Sequence, residues 1–203
     1  MKLFDSVGPN PKMVRMFMAE CGIELDKQTV DLMGAENRQE DYLKVNPTGT
    51  TPALQLDDGS ILAEITAICE YLAEREGSSS LIGNTPEERA ETRMWTRRID
   101  LGIIEPMTNG FRYSEGLPIF KDRMTTLPEA ADGLKGLAQE KLTWLDAQMA
   151  GKEFVCGDRF SMADILLFSF LEFGGNVGQP LNEDNKNIKA WYDRVAARPS
   201  AQA

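Results

Sequence analysis

An α/β domain followed by an all-α domain is the fold class this sequence predicts, and three observations carry that prediction. Through the first 75 residues, short apolar runs and amphipathic stretches follow one another in the order β-α-β-α-β-β-α. From Pro86 onward the apolar spacing is helical nearly throughout. Between the two lies a stretch containing Gly77, Ser78, Ser79, Ser80 and Gly83. The expected boundaries are 1–76 for the first domain, 77–85 for a linker and cap, and 86–203 for the helical domain. A chain of 203 residues is long enough to bury a core in each.

Each element has a local reason. Lys2 to Asp5 predicts a short strand, and Gly8-Pro9-Asn10-Pro11 a loop that opens a helix, because proline tolerates the first helical turn. Met13, Val14, Met16, Phe17 and Met18 give that helix a broad apolar face, and Gly22 suits its C-cap. A second strand is expected at 27–31 and a short helix at 36–45, ending before Asn46-Pro47. Asp57-Asp58-Gly59 marks a hairpin between strands at 53–56 and 60–62. A helix beginning near Glu64 places Ile65, Ile68 and Leu72 on one face. In the second domain, helices are expected at about 86–113 and 128–150. Ser161-Met162-Ala163-Asp164 forms a capping box ahead of Ile165–Leu171, a helix apolar all round and therefore central. Ile188, Trp191, Tyr192 and Val195 mark a last helix, stopped by Pro199.

Composition excludes several chemistries. The chain has no histidine, which removes Ser-His and Cys-His nucleophile pairs and any metal site needing imidazole. A formal charge of −10 repels polyanions, so nucleic-acid binding is not expected. Cys21, Cys69 and Cys156 fit neither a disulfide framework nor a CxxC pair and indicate a reducing compartment. The start carries Asp5 after two apolar residues, unlike an export signal, and no segment is long enough to span a membrane. A cytoplasmic protein with no metal is the expectation.

Three segments then carry a resemblance. They are Asn46-Pro47-Thr48-Gly49-Thr50-Thr51-Pro52, Leu62-Ala63-Glu64-Ile65-Thr66-Ala67-Ile68, and Gly157-Asp158-Arg159-Phe160-Ser161-Met162-Ala163-Asp164. In this order, on these elements, they make the chain similar to the cytosolic glutathione transferases over essentially its whole length. The loop Pro9-Asn10-Pro11, with Met94-Trp95 and Trp191-Tyr192, resembles a bacterial and fungal branch lacking the usual Tyr, Ser or Cys activator. The resemblance implies a thioredoxin-like first domain, a helical domain forming the acceptor pocket, glutathione as co-substrate, and a homodimer.

It also implies site residues. Pro52 stands where the family has a cis proline, which turns the Thr51 backbone to pair with the cysteinyl part of glutathione by strand addition; an ordinary trans proline at a strand start is the plainer reading. Glu64 heads a helix whose free N–H groups suit the γ-glutamyl carboxylate, while its own carboxylate suits the ammonium group; complementing the helix dipole is the alternative. Ile65 departs from the family's Ser or Thr. The missing hydroxyl costs about 1.5–3 kcal/mol of binding, less if Thr66 or water substitutes. Thr50 replaces a Lys or Gln of many relatives. Arg38 and Lys44 are the nearest cations for the glycyl carboxylate, or else solvated surface charges. Asp100 is placed to help with the glutamyl ammonium.

For thiol activation the candidates are Asn10, Tyr113 and Ser6. Asn10 either donates an amide N–H or caps the helix. Ser6 serves only if its loop bends. Tyr113, where the branch has His, either donates a hydroxyl hydrogen bond or walls the acceptor pocket, and Arg112 either holds an anionic acceptor or forms a surface ion pair. The three cysteines are expected to be structural. The expected reaction is conjugation of glutathione to small hydrophobic electrophiles, or a related cleavage or isomerisation. The alternative is a non-catalytic glutathione- or hydrophobic-ligand-binding protein on the same fold.

Overall fold

The computed structural model describes residues 1–77 and 79–203. Ser78, within the expected linker, lies outside the described residues. These divide into two compact units: Met1–Leu81 with Pro199–Ala203, and Ile82–Arg198.

The first unit contains β1 (Lys2–Asp5), α1 (Pro9–Cys21), β2 (Asp26–Thr29), a 3-10 turn (Glu36–Arg38), α2 (Glu40–Val45), β3 (Ala53–Gln55), β4 (Ile61–Ala63) and α3 (Ile65–Glu76). The order matches the sequence expectation, with boundaries shifted by one or two residues. Residues 36–45 are not one helix, because Gln39 is extended (φ −79°, ψ 154°) and separates the 3-10 turn from α2. Among the described residues the strands form one mixed sheet in the order β2-β1-β3-β4. β1 runs parallel to β2 and antiparallel to β3, and β3 and β4 form the hairpin. β2 is exposed at all its positions, so its polar Asp-Lys-Gln-Thr sequence guards the sheet edge. α1 packs on α3, and Met13, Val14, Met16 and Phe17 of α1 and Ile68 and Leu72 of α3 are all fully buried. It ends at Gly22 in the left-handed region (φ 66°), where a side chain would be strained.

Register decides where the chemistry gathers. Phe4 of β1 faces Ala53, and Ala53 faces Ala63. The C-terminal end of β1, the N-terminal end of β3 and the C-terminal end of β4 therefore lie at one end of the sheet. Ser6, Thr51-Pro52 and Glu64 emerge there.

The second unit is helical: α4 (Pro86–Ile99), a π turn (Asp100–Ile104), α5 (Glu105–Arg112), α6 (Leu117–Phe120), α7 (Ala131–Gln148), α8 (Met162–Asn176) and α9 (Lys186–Ala196). The expected helix at 86–113 thus carries a π turn in its middle. Gly102 in that turn lies close to α7: a Cβ there would come within 2.9 Å of the Lys141 side chain. Thr85 caps α4 by accepting the Glu88 N–H at 3.2 Å, with Pro86 as the first helical residue.

α8 starts at the expected capping box and is buried from Met162 through Leu171. Asp164, fully buried, accepts from Val155 N–H (2.8 Å), Trp191 Nε1–H (2.8 Å), Ser161 N–H (2.9 Å) and Ser161 Oγ–H (2.8 Å). Burial pushes its carboxyl up, against the pull of these donors. One carboxylate thus joins the preceding loop, the start of α8 and α9. Phe160 packs edge-on against Phe154, with ring centroids 5.3 Å apart.

Candidate glutathione site

The loop before Pro52 is built by its own polar side chains. Tyr42 Oη donates to the Thr50 carbonyl at 2.7 Å, and Asn46 Nδ2 donates to the same carbonyl at 2.9 Å. Burial pushes the Tyr42 phenol up to about 12, so it stays protonated and donates. Asn46 Oδ1 accepts from the Thr48 hydroxyl at 2.9 Å, and the Thr48 and Thr50 hydroxyls lie 2.7 Å apart. Asn37 Nδ2 reaches the Gly49 carbonyl at 2.6 Å. Gly49 sits at φ 65°, which strains any side chain, and a Cβ there would lie 3.0 Å from the Asn37 carbonyl, so glycine is favoured at the position.

These contacts hold the Thr51-Pro52 peptide, which is cis. Among the described residues neither the Thr51 N–H nor its C=O has a backbone partner. An extended peptide can pair with both groups, as in strand addition.

Glu64 is the N-cap of α3 and has φ 71° and ψ 119°, a left-handed conformation that costs a non-glycine residue about 1–3 kcal/mol. Its side chain is exposed and makes no hydrogen bond or ion pair among the described residues. The first-turn N–H groups of Ile65 and Thr66 have no intrahelical partner. A strained backbone, a free carboxylate and orphan N–H groups therefore stand together at the sheet end that carries Thr51.

The other expected residues divide. Thr50 has its carbonyl and hydroxyl engaged within the loop, so it builds the cradle. Arg38 is exposed and donates to the Thr48 carbonyl at 3.3 Å, on the same strip of loop. Lys44 instead pairs with Glu40 and Asp41 of its own helix at 3.1 and 3.4 Å. Asn10 is not the cap of α1, because the helix begins earlier: Gly8 is the N-cap and Asn10 is inside the first turn. Its side chain makes no hydrogen bond among the described residues. Ser6 is buried, its hydroxyl 2.5 Å from that of Thr51.

In the helical unit, Asp100 opens the π turn and Tyr113 is the C-cap of α5, half-buried. Arg112 donates to Asn109 Oδ1 at 2.9 Å and lies over the Phe120 ring, and burial lowers its pKa. A groove of about 540 Å³ within this unit is lined by Leu101, Glu105, Asn109, Leu137, Lys141 and Trp144, among others, but by neither Asp100 nor Tyr113.

Burial raises all three thiols: Cys21 to about 11, Cys69 well above its ordinary value, and Cys156 upward. None is poised as a thiolate. Among the described residues no group of acidic residues and cysteines has the arrangement of a metal site, and no helix is long and apolar enough to cross a membrane.

Tyr42, Asn37, Asn46 and the Ser6–Thr51 contact were not anticipated from the sequence. Asn46 and Tyr42 share one face of a helical turn, which is the only local signal.

Residues 7–75 match the family described as glutathione S-transferase, N-terminal domain, and 114–199 the glutathione S-transferase C-terminal domain. The chain is 32 % identical over 210 residues to glutathione S-transferase 2 of Saccharomyces cerevisiae, covering all of this chain and 88 % of that protein. The crystal structure of Gtt2 from the same organism superimposes with a TM-score of 0.93 at 31 % identity, covering 100 % and 99 % of the two chains. A glutathione S-transferase domain-containing protein from Marinobacter aquaeolei VT8 gives a TM-score of 0.92 at 36 % identity, covering 98 % and 99 %. A thioredoxin-like domain followed along the chain by a helical domain defines the class, that of the cytosolic glutathione-dependent enzymes. Within that class, the chain belongs to the glutathione S-transferase family.

Proposed function

We propose that this glutathione transferase lays glutathione along the Thr51-Pro52 edge and directs its thiolate at small hydrophobic electrophiles. The single observation carrying this reading is the shared sheet end of an unpaired Thr51 backbone and an unpartnered, strained Glu64. The cysteinyl N–H and C=O pair with Thr51. The γ-glutamyl carboxylate takes the N–H groups of Ile65 and Thr66, and Glu64 takes the ammonium. Arg38 is the cation for the glycyl carboxylate.

The sulfur then stands beside the β1–α1 loop. The N-terminus of α1 and the free Asn10 amide favour its ionised form. In conjugation the thiol proton passes to solvent, the sulfur bonds to the electrophilic carbon, and the leaving group departs with its electron pair. Cleavage and isomerisation use the same thiolate. Residues 86–203 supply the acceptor pocket.

The working form is a homodimer in the cytoplasm with a role in detoxification. Leu101 and Leu137, 47 % and 58 % exposed beside the helical groove, supply apolar surface for self-association. Free cysteines fit a reducing compartment. Retention on immobilised glutathione and conjugation of chlorodinitrobenzene test the reading. Absence of both would leave the non-catalytic binding protein, which the names of the relatives do not favour.

A further inference from the structure

Ser6 was a candidate thiol activator, yet its surroundings give its hydroxyl another task. Ser6 Oγ lies 2.5 Å from Thr51 Oγ1 and 3.3 Å from the Val7 carbonyl. Both side chains are buried, 6 % and 9 % exposed. The contact joins residues 45 apart in sequence: one in the loop leading to α1, the other in the loop expected to hold the peptide.

The Ser6 end is itself anchored. Its N–H donates to Asp5 Oδ1 at 2.9 Å, and Arg15 of α1 donates to the same Asp5 oxygen at 2.7 Å and to the Ser6 carbonyl at 3.1 Å. The Thr51 end is held by its neighbour Thr50, whose carbonyl accepts from Tyr42 and Asn46. A continuous polar chain thus runs from the body of α1 through Arg15, Asp5 and Ser6 to Thr51.

We propose that the Ser6–Thr51 hydroxyl bridge is a positioning pair that fixes the spacing between the peptide-holding edge and the N-terminus of α1, and so the seat of the glutathione sulfur. This rests on the reading that the Thr51 edge binds glutathione. Proton accounting supports positioning over direct donation. When Thr51 donates to Ser6 Oγ, the Ser6 proton goes to the Val7 carbonyl; when Ser6 donates to Thr51, its proton is used there. In neither arrangement does Ser6 keep a proton for the sulfur.

The test compares Ser6→Ala, Thr51→Val, the double variant and Thr51→Ser, which keeps the hydroxyl. Calorimetric titration of the unaltered protein with glutathione is read first, because failure to bind there overturns the underlying reading and this proposal with it. Given binding, Ser6→Ala and Thr51→Val are expected to lower kcat with chlorodinitrobenzene by about tenfold to a hundredfold, the effect of a misplacement near 1 Å. KM for glutathione should change far less. The ultraviolet signal of bound thiolate should fall, and the rising limb of the pH–rate profile should move to higher pH. The double variant should resemble either single one, and Thr51→Ser should recover most of the rate. Unchanged kcat and pH profile in folded Ser6→Ala and Thr51→Val would overturn the proposal while leaving glutathione binding intact. A severe loss in Ser6→Ala with normal activity in Thr51→Val would overturn it too, by making Ser6 a direct donor. Melting temperatures of the variants identify unfolding, and isosteric Thr51→Val keeps the comparison readable where Ser6→Ala is unstable.

Discussion

Replacing Glu64 by glycine should separate binding from stability, because the two act in opposite directions at this residue. Glu64 holds φ 71° with a side chain that contacts nothing among the described residues. Glycine relieves about 1–3 kcal/mol of backbone strain and returns about 0.5–1 kcal/mol as added freedom of the unfolded chain. The net effect on stability lies between no change and a gain of about 2.5 kcal/mol, where each kcal/mol shifts Tm by about 2–4 °C at this size. Binding goes the other way. A charge-assisted hydrogen bond to the γ-glutamyl ammonium contributes about 1.5–3 kcal/mol, and solvent at an exposed site favours the lower figure. That corresponds to a loss of glutathione affinity of about tenfold or slightly more. Glu64→Gln, which keeps an acceptor and the backbone strain but removes the charge, should show a smaller affinity loss with unchanged Tm. Scanning calorimetry and a glutathione titration measure both quantities. A Glu64→Gly protein that melts several degrees lower and binds glutathione normally would refute the reasoning, making Glu64 a structural residue.

Other consequences are equally open to measurement. Asp164→Ala should cost about 3–5 kcal/mol in denaturant unfolding, since it leaves the buried donors of Val155, Ser161 and Trp191 unsatisfied; a loss below about 1 kcal/mol would contradict that. Lys135 and Ser114 donate to Glu115 and hold its carboxyl at about 2, below the ordinary 4.5. Its contribution is therefore complete above pH 4.5 and disappears as pH falls towards 2. With the Glu115 side chain 45 % exposed, screening limits it to under about 1 kcal/mol. Glu115→Gln should slightly flatten the acid limb of stability against pH, and an unchanged limb would remove the ion pair from the account. For the proposed homodimer, charged residues at both Leu101 and Leu137 should shift sedimentation towards the monomer without unfolding the chain; an unaltered dimer would place the interface elsewhere.

Much of the fold was legible because it rests on local rules. The β-α-β-α-β-β-α order follows from apolar spacing and from the turn at Asp57-Asp58-Gly59. The start of α8 follows from Ser161 and Asp164, which satisfy each other within one turn. Thr51, Pro52 and Glu64 were singled out by motif alone, and register then explains why they gather at one end of the sheet. What escaped depends on partners distant in sequence. Asp164 reaches Trp191 across 27 residues, and Ser6 reaches Thr51 across 45. Of the two roles open to Asn10, capping is excluded for a local reason: helix α1 starts at Pro9, so Asn10 lies already inside its first turn. The 199–203 segment groups with the first unit, where Ser200 donates to Glu20, a contact that helical periodicity cannot reveal.

The central claim is that glutathione binds as an added strand on Thr51 with its glutamyl end at Glu64. A crystal structure of the protein with glutathione tests it most directly. The cysteinyl N–H and C=O should pair with the Thr51 C=O and N–H, with the γ-glutamyl ammonium at the Glu64 carboxylate and the adjoining carboxylate at the Ile65 and Thr66 N–H groups. Glutathione bound with the Thr51 backbone unpaired, or seated away from Glu64, would contradict it.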